Sequence, residues 1–199
     1  AVGGKSYMPD IDGKELCINS DEALDLEMLP KSIVINGGGY IALEFAGIFS
    51  SFGSKVTLVY RGKNILRGFD SDISKFITEE LKNSKIKIIT EQEITSVSKV
   101  TNGLSTELSS GEKIISNKVM FATGRIPNTK NLGLEKIGIK LGSIGEIIVD
   151  NNNETNIKNI FAIGDVTNRI NLTPVAIAEG QIFSDNKFGG MNKKCDYTN

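Results

Sequence analysis

The chain holds 199 residues, with 23 Lys and Arg against 24 Asp and Glu and no histidine. Such near-neutrality argues against a general electrostatic grip on nucleic acid or an anionic membrane, and no apolar run approaches the roughly 20 residues that span a bilayer. Without imidazole there is no histidine base, no His-type zinc site and no Ser/His or Cys/His nucleophile pair, so no metal site is expected. Cys17 and Cys195 form no C-x-x-C or C-x4-C pair and read as two isolated thiols.

Residues 1–4 look like the end of a strand entering a turn, and residues 7–13 like a Pro/Gly-punctuated crossover. Asn19 caps a short helix. Ile33, Val34 and Ile35 form a short β-branched run that reads as a buried parallel strand. The run breaks at Gly37, Gly38 and Gly39 and passes into a helix with Ile41, Phe45, Ile48 and Phe49 at helical spacing, which Gly53 stops. Gly37, Gly39 and Ala42 fill the three small positions of G-x-G-x-x-A. In that pattern the first allows a tight turn, the second admits a pyrophosphate and the third lets helix and strand pack closely. Such a turn also serves simply to join a strand to a helix; strand before and helix after are the context a dinucleotide site requires.

Residues 55–60 make the second strand of a βαβ unit. An NAD site places Asp or Glu about 20 residues past the first glycine, but here the strand ends Tyr60-Arg61, with Arg67 six residues on and no carboxylate in place. Two guanidiniums suit a 2′-phosphate and point to NADPH; the alternative is a solvated basic loop. Asp70 opens a further helix whose apolar stripe is Ile73, Phe76, Ile77 and Leu81. Residues 86–89 follow as a third parallel strand, residues 94–116 as an antiparallel β-meander turning at 109–112, and residues 119–122 as another buried strand. Past Pro127 the chain turns rich in Gly and Asn. Short strands are expected at 146–149 and 160–163, then Gly164-Asp165, then a helix over 175–188 with Thr173 as its cap and Pro174 at its first position.

Four stretches together, residues 37–46, 61–70, 122–128 and 162–176, resemble the flavin-dependent disulfide reductases. The lead-in at residues 1–4 resembles that family's A-T-G-G turn, with Val2 in place of threonine, and Asn36 departs from the family's apolar strand residue. The resemblance implies an α/β fold: a Rossmann-like NADPH-binding domain, parallel sheet plus antiparallel meander, with the C-terminal part of an FAD-binding domain. The implied division is 1–12 for the end of a first FAD segment and crossover, 13–127 for NADPH and 128–199 for a second FAD segment.

It further implies that Gly37, Gly38, Gly39, Ile41 and Ala42 cradle NADPH, that Tyr40 covers the nicotinamide pocket and that Glu44 lies beside the ring. Arg61 and Arg67 hold the 2′-phosphate, while Gly124 and Arg125 close over the nucleotide, Arg125 being alternatively a structural ion-pair partner. Gly164 and Asp165 match the second FAD signature, where Asp165 accepts from a ribityl hydroxyl and Leu172 and Thr173 face the flavin's pyrimidine edge. The family's electrons run from NADPH through FAD to a cysteine pair and on to a small disulfide, glutathione disulfide by this likeness, with a histidine–glutamate pair as acid and base. Neither that cysteine pair nor a histidine lies in these residues, so no catalytic residue is assigned. The chain reads as an internal piece of a longer cytoplasmic homodimer, inactive alone. The rival readings are a member of the same family that reduces another disulfide, such as trypanothione disulfide, and an NADPH-sensing module without turnover.

Overall fold

The computed structural model describes residues 1–198. In chain order the elements are β1 (Gly4–Ser6), α1 (Ser20–Leu24), β2 (Ser32–Asn36), α2 (Tyr40–Ser51), β3 (Lys55–Tyr60), α3 (Ser71–Asn83), β4 (Lys87–Thr90), β5 (Ile94–Val100), β6 (Gly103–Leu108), β7 (Lys113–Ser116), β8 (Lys118–Phe121), β9 (Arg125–Pro127) and α4 (Thr173–Phe188). Short 3-10 turns lie at Lys14–Leu16, Leu134–Ile137 and Gly164–Thr167. The elements gather into two compact units, one of Ser6–Gly124 and one of Ala1–Lys5 with the residues from Arg125 on.

The first unit is built on a parallel four-stranded sheet in the order β4-β3-β2-β8. Central β2 is buried on both faces, which is why it reads as a continuous apolar run rather than an alternating one. Ile33 and Ile35 point to one side, where Ala42, Leu43, Phe45, Ala46 and Phe49 of α2 cover them. Val34 points to the other, joining Val59, Val119 and Phe121 against Ile94, Val97, Leu104 and Leu108 of the meander β5-β6-β7. Each side chain removed from water in this way contributes about 1.5–3 kcal/mol. The α/β class, the parallel sheet and the antiparallel meander therefore stand as expected.

Two helix faces differ from the periodicity. Ile48 of α2 is exposed, and so are Ile73 and Phe76 of α3. The inward stripe of α3 is Ser74, Ile77 and Leu81. Its rotation is set by Ser74, whose buried hydroxyl donates to the Ile65 carbonyl at 2.7 Å. The expected caps hold on α1 and α3: Asn19 and Glu22 form a reciprocal capping box on α1, and Asp70 accepts from the amides of Asp72 and Ile73 on α3.

The unit starts at Ser6 and closes at Gly124, rather than at 13 and 127. Met8 and Ile11 pack into the meander-side core, the Val97 amide donates to Asp12 and the Tyr7 amide donates to Gly124. The crossover is thus part of this unit.

In the second unit, β1 and β9 form a two-stranded sheet, and the Asn128 amide donates to the Gly3 carbonyl. The strand begins at Gly4 instead of ending there. A small core of Ile139, Ile147, Ala162 and Val166 follows. The strands expected at 146–149 and 160–163 do not form. Ile147 and Phe161 each make one isolated antiparallel bridge, to Leu141 and Glu154. The chain around them turns too often for a ladder: Asn153, Asn159 and Gly145 all hold positive φ. Helix α4 begins at Thr173, so Leu172 is its N-cap and Thr173 is not, and among the described residues no side chain caps it.

Candidate functional site

The glycine turn between β2 and α2 is small for three separate reasons. Gly37 sits at φ 153°, and a Cβ there would stand 2.4 Å from the Ala122 carbonyl oxygen and 3.0 Å from the Ala42 Cβ. Gly38 carries no strain of its own, but a Cβ would meet the Tyr60 ring at 2.5 Å. Gly39 has an ordinary conformation, φ −87° and ψ 173°, and a Cβ there would touch no described residue within 4 Å. Nothing within the described chain requires glycine at 39. The open space lies at the N-terminus of α2, where Gly39 is the N-cap, no described side chain caps the helix and its first turn holds no acid. Free amides and the positive end of the helix dipole there suit a diphosphate.

The loop after β3 folds onto this turn. The Leu66 amide donates to the Gly38 carbonyl at 2.6 Å, and Ile65 and Leu66 are buried in the α2-side core. Leu66 adopts φ 55°, the left-handed turn that brings the loop back. Arg67 is thereby held beside the glycines while its own side chain stays exposed. A cavity of about 350 Å³ opens in this loop, with Lys63, Arg67 and Lys75 in its wall beside Tyr60, Phe69 and Ser71. Arg61 is outside that lining; its side chain is 69% exposed and stands 3.9 Å from Glu93. Sequence spacing showed no acid at the end of β3, and the fold supplies one from the exit of β4. The Glu91 and Gln92 amides donate to Gly62 and Tyr60, which draws that segment alongside. A pair this exposed contributes well under 1 kcal/mol, so it leaves the guanidinium available to an anion.

Tyr40 is exposed on the first turn of α2, Ile41 half-buried and Glu44 exposed. Gly124 is exposed at φ 135°, with the Tyr7 amide on its carbonyl and Thr123 donating to the Tyr7 carbonyl. These residues, with Gly37 to Ala42, Arg61 and Arg67, all belong to the Ser6–Gly124 unit. Arg125 does not. It belongs to the second unit, where its side chain donates to the Gly4 carbonyl and its Nε stands 3.6 Å from Asp165. Its surroundings within that unit are those of the ion-pair alternative.

Gly164 opens a 3-10 turn at φ 74° with Asp165 next. Asp165 is three-quarters buried and faces Arg125. A Cβ on Gly4 would lie 3.5 Å from the Asp165 side chain, so that glycine gives the carboxylate room. The uncapped start of α4 at Leu172 and Thr173 is exposed in the same unit.

Sequence reasoning missed Tyr60 as the ring that makes Gly38 and Gly62 glycines, the latter with a Cβ contact of 2.6 Å. It also missed Glu179, whose buried carboxylate accepts from the Gly164 amide at 2.6 Å. An acid inside an otherwise apolar helix face was the one signal available. Both cysteines are free thiols. Cys17 is buried, and burial, helped by the charge of Glu15, pushes its thiol up to about 11, which makes it a poor nucleophile.

With that geometry in hand, the family model for pyridine nucleotide-disulphide oxidoreductases matches residues 1–180. The chain belongs to that family. It is 47% identical over 198 residues to the chloroplastic/mitochondrial glutathione reductase of Pisum sativum, covering 99% of this chain and 36% of that protein. It is 43% identical over 202 residues to the trypanothione reductase of Trypanosoma congolense, covering 100% of this chain and 41% of that one. Among solved structures it superposes on the HOCl-induced flavoprotein disulfide reductase RclA from Escherichia coli with a TM-score of 0.92 at 30% identity, covering 98% of this chain and 45% of the other. The chain spans less than half the length of these relatives. Among the described residues, no helix is long and apolar enough to cross a membrane.

Proposed function

We propose that these residues are the NADPH-binding and central flavin-binding part of a disulfide reductase that acts on glutathione disulfide. The observation that carries the reading is Gly39: an unstrained glycine with open space beside it, at an uncapped helix N-terminus, with Arg67 tied alongside through Leu66. In this reading the first-turn amides of α2 bind the diphosphate, and Arg61 and Arg67 hold the 2′-phosphate through charge-assisted hydrogen bonds. Tyr40 shields the nicotinamide pocket, Glu44 orients its carboxamide and Gly124 lies at the rim. Asp165 accepts from a ribityl hydroxyl. Arg125, whose Nε stands 3.6 Å from Asp165, orients that carboxylate. The Thr173 amide and the start of α4 favour negative charge at the flavin's pyrimidine edge. When bound, NADPH and FAD supply a two-electron path to a cysteine pair that reduces the disulfide.

That pair, its histidine partner and a dimer-forming segment are, in this reading, supplied outside these 199 residues, and the intact protein is a homodimer. In the same reading the intact protein works in the cytoplasm.

The test is steady-state kinetics of the full-length protein with NADPH and NADH, against glutathione disulfide and trypanothione disulfide. Strong preference for NADPH is expected. Arg61→Ala with Arg67→Ala should lower kcat/KM for NADPH at least 100-fold, since charged hydrogen bonds are worth about 1.5–3 kcal/mol each, and leave NADH use within about threefold. Equal use of both nucleotides by the unmutated protein refutes the 2′-phosphate assignment. Preference for trypanothione disulfide instead, which the 43% identity to the trypanosomal protein supports, would change the substrate alone. NADPH binding without turnover would leave the sensing module.

A further inference from the structure

The second unit contains a buried polar cluster that the cofactor assignments above do not use. Glu179, on α4, is 1% exposed. One of its carboxylate oxygens accepts from the Gly164 amide at 2.6 Å, and the other accepts from the Tyr197 hydroxyl at 2.6 Å. Arg169 stands 3.9 Å from that second oxygen and donates to the Tyr197 hydroxyl at 2.7 Å and to the Asn153 side chain at 2.9 Å. It also donates to the carbonyls of Val149 and Asp150, and its guanidinium lies 5.3 Å from the centre of the Tyr197 ring. Burial, and after it the bond to Glu179, hold the Tyr197 phenol above the usual range, so it remains a donor.

A buried carboxylate needs a reason. Its desolvation costs several kcal/mol, and apolar packing of the same volume serves stability as well or better. Three residues separated by 10 and 18 positions along the chain converge so that one acid can hold one backbone amide. That amide belongs to Gly164, whose left-handed φ of 74° and close approach to Ala176, 3.3 Å from a Cβ placed there, define the turn that presents Asp165. Gly164 cannot hold this turn by itself, since glycine is the residue with most freedom to leave it. A fixed, buried acceptor on its N–H removes that freedom.

We propose that Glu179, braced by Tyr197 and Arg169, is a positioning residue that locks the Gly164–Asp165 turn in the form that binds the flavin ribityl chain. The proposal rests on the reading of Asp165 as a flavin ligand. Its role differs from that of Asp165: Glu179 is buried and acts on the Gly164 backbone.

The experiment uses the full-length flavoprotein. FAD affinity is read from the fluorescence of released flavin, flavin environment from visible circular dichroism, and 2′-phospho-AMP affinity serves as the control on the other unit. Asp165→Ala and Glu179→Ala should each weaken FAD at least tenfold, and Glu179→Ala should change the visible dichroism of the flavin that remains. The double variant should be no weaker than about threefold below the worse single, because both changes disable one turn. Glu179→Gln keeps an acceptor for the Gly164 amide and should return FAD affinity to within about threefold of wild type, which a charge-only or bulk-packing role would not do. All variants should bind 2′-phospho-AMP normally.

Should Glu179→Ala fail to fold, Tyr197→Phe decides. It removes the brace alone and should weaken FAD about threefold with altered dichroism, and wild-type affinity and dichroism there overturn the proposal. Weakened FAD in Asp165→Ala with wild-type behaviour in Glu179→Ala, or additive losses in the double variant, overturns the positioning role alone. Wild-type FAD affinity in Asp165→Ala overturns the flavin reading and this proposal with it.

Discussion

Gly38 and Gly39 are neighbours and glycines for opposite reasons, one to make room for the protein and one to leave room for something else. A methyl group on Gly38 would land 2.5 Å from the Tyr60 ring, which is half-buried and cannot simply swing away. Gly38→Ala should therefore cost about 1–3 kcal/mol in urea unfolding, as overpacking does. Gly39→Ala meets nothing and needs no change of backbone. The unfolded chain loses about 0.4–1 kcal/mol of entropy and the N-cap loses a similar amount, roughly 0.5–1 kcal/mol, since alanine caps less well than glycine, so stability should stay within about 0.5 kcal/mol. Calorimetry with 2′-phospho-AMP or NADPH should nonetheless show binding by Gly39→Ala reduced at least tenfold. Intact binding by a folded Gly39→Ala protein would remove the diphosphate from this helix end. The spacing of Gly37, Gly39 and Ala42 could be read without a structure, because a strand, a turn and a helix fix those contacts locally. The reason for Gly38 and Gly62 could not, since it lies in a ring 22 residues from the first. Nor could the approach of Glu93 to Arg61, which depends on how β4 leaves the sheet.

Helix α3 shows how far an apolar period carries. Its existence and its Asp70 cap follow from local chemistry, the acceptor just ahead of two free amides. Its rotation does not, because two neighbouring stripes were apolar enough and a hydroxyl chose between them. Ser74→Ala should cost about 1–2 kcal/mol, the value of a buried hydrogen bond whose acceptor, the Ile65 carbonyl, is left bare. Phe76→Ser, a larger change by composition, should lie within about 0.5 kcal/mol because Phe76 is exposed. Denaturant midpoints of the two variants decide this, and a reversed order would mean that Phe76 is the buried face. Since Ile65 precedes the loop that carries Arg67, Ser74→Ala should also weaken 2′-phospho-AMP several-fold. The failed strands at 146–149 and 160–163 teach the converse lesson. Ile147 is buried and Val149 and Ile160 pack beside it, while Ile148 is exposed, but the backbone pairs through single bridges and turns, and no local preference builds a ladder without a partner strand running alongside.

At the scale of the molecule, the two candidate sites differ in how the chain reaches them. Everything assigned to the nucleotide except Arg125 lies in one continuous segment, Ser6–Gly124, with its own sheet, helices α2 and α3 against one face and the meander against the other. The Asp165 turn instead draws on Gly4 and Arg125, from chain ends separated by that whole segment. The sequence reading divides the chain after 12 and after 127, and the compact units divide after 5 and after 124. The crossing of residues 6–12 donates and accepts backbone bonds within the nucleotide-side unit, while residues 125–127 pair with β1 in the other. A segment with its own core in the size range of autonomous domains should fold by itself. Expressed alone, residues 6–124 should unfold cooperatively, bind 2′-phospho-AMP and take up no flavin. Arg61→Ala or Arg67→Ala in that segment should lower the affinity tenfold or more, with a salt dependence that weakens as each cation is lost. Removing Arg125 should cost the segment nothing, because it lies outside. A cooperatively folded segment that ignores 2′-phospho-AMP would take the arginines out of the site. One that binds only when residue 125 is restored would return Arg125 to the nucleotide, against its pairing with Asp165.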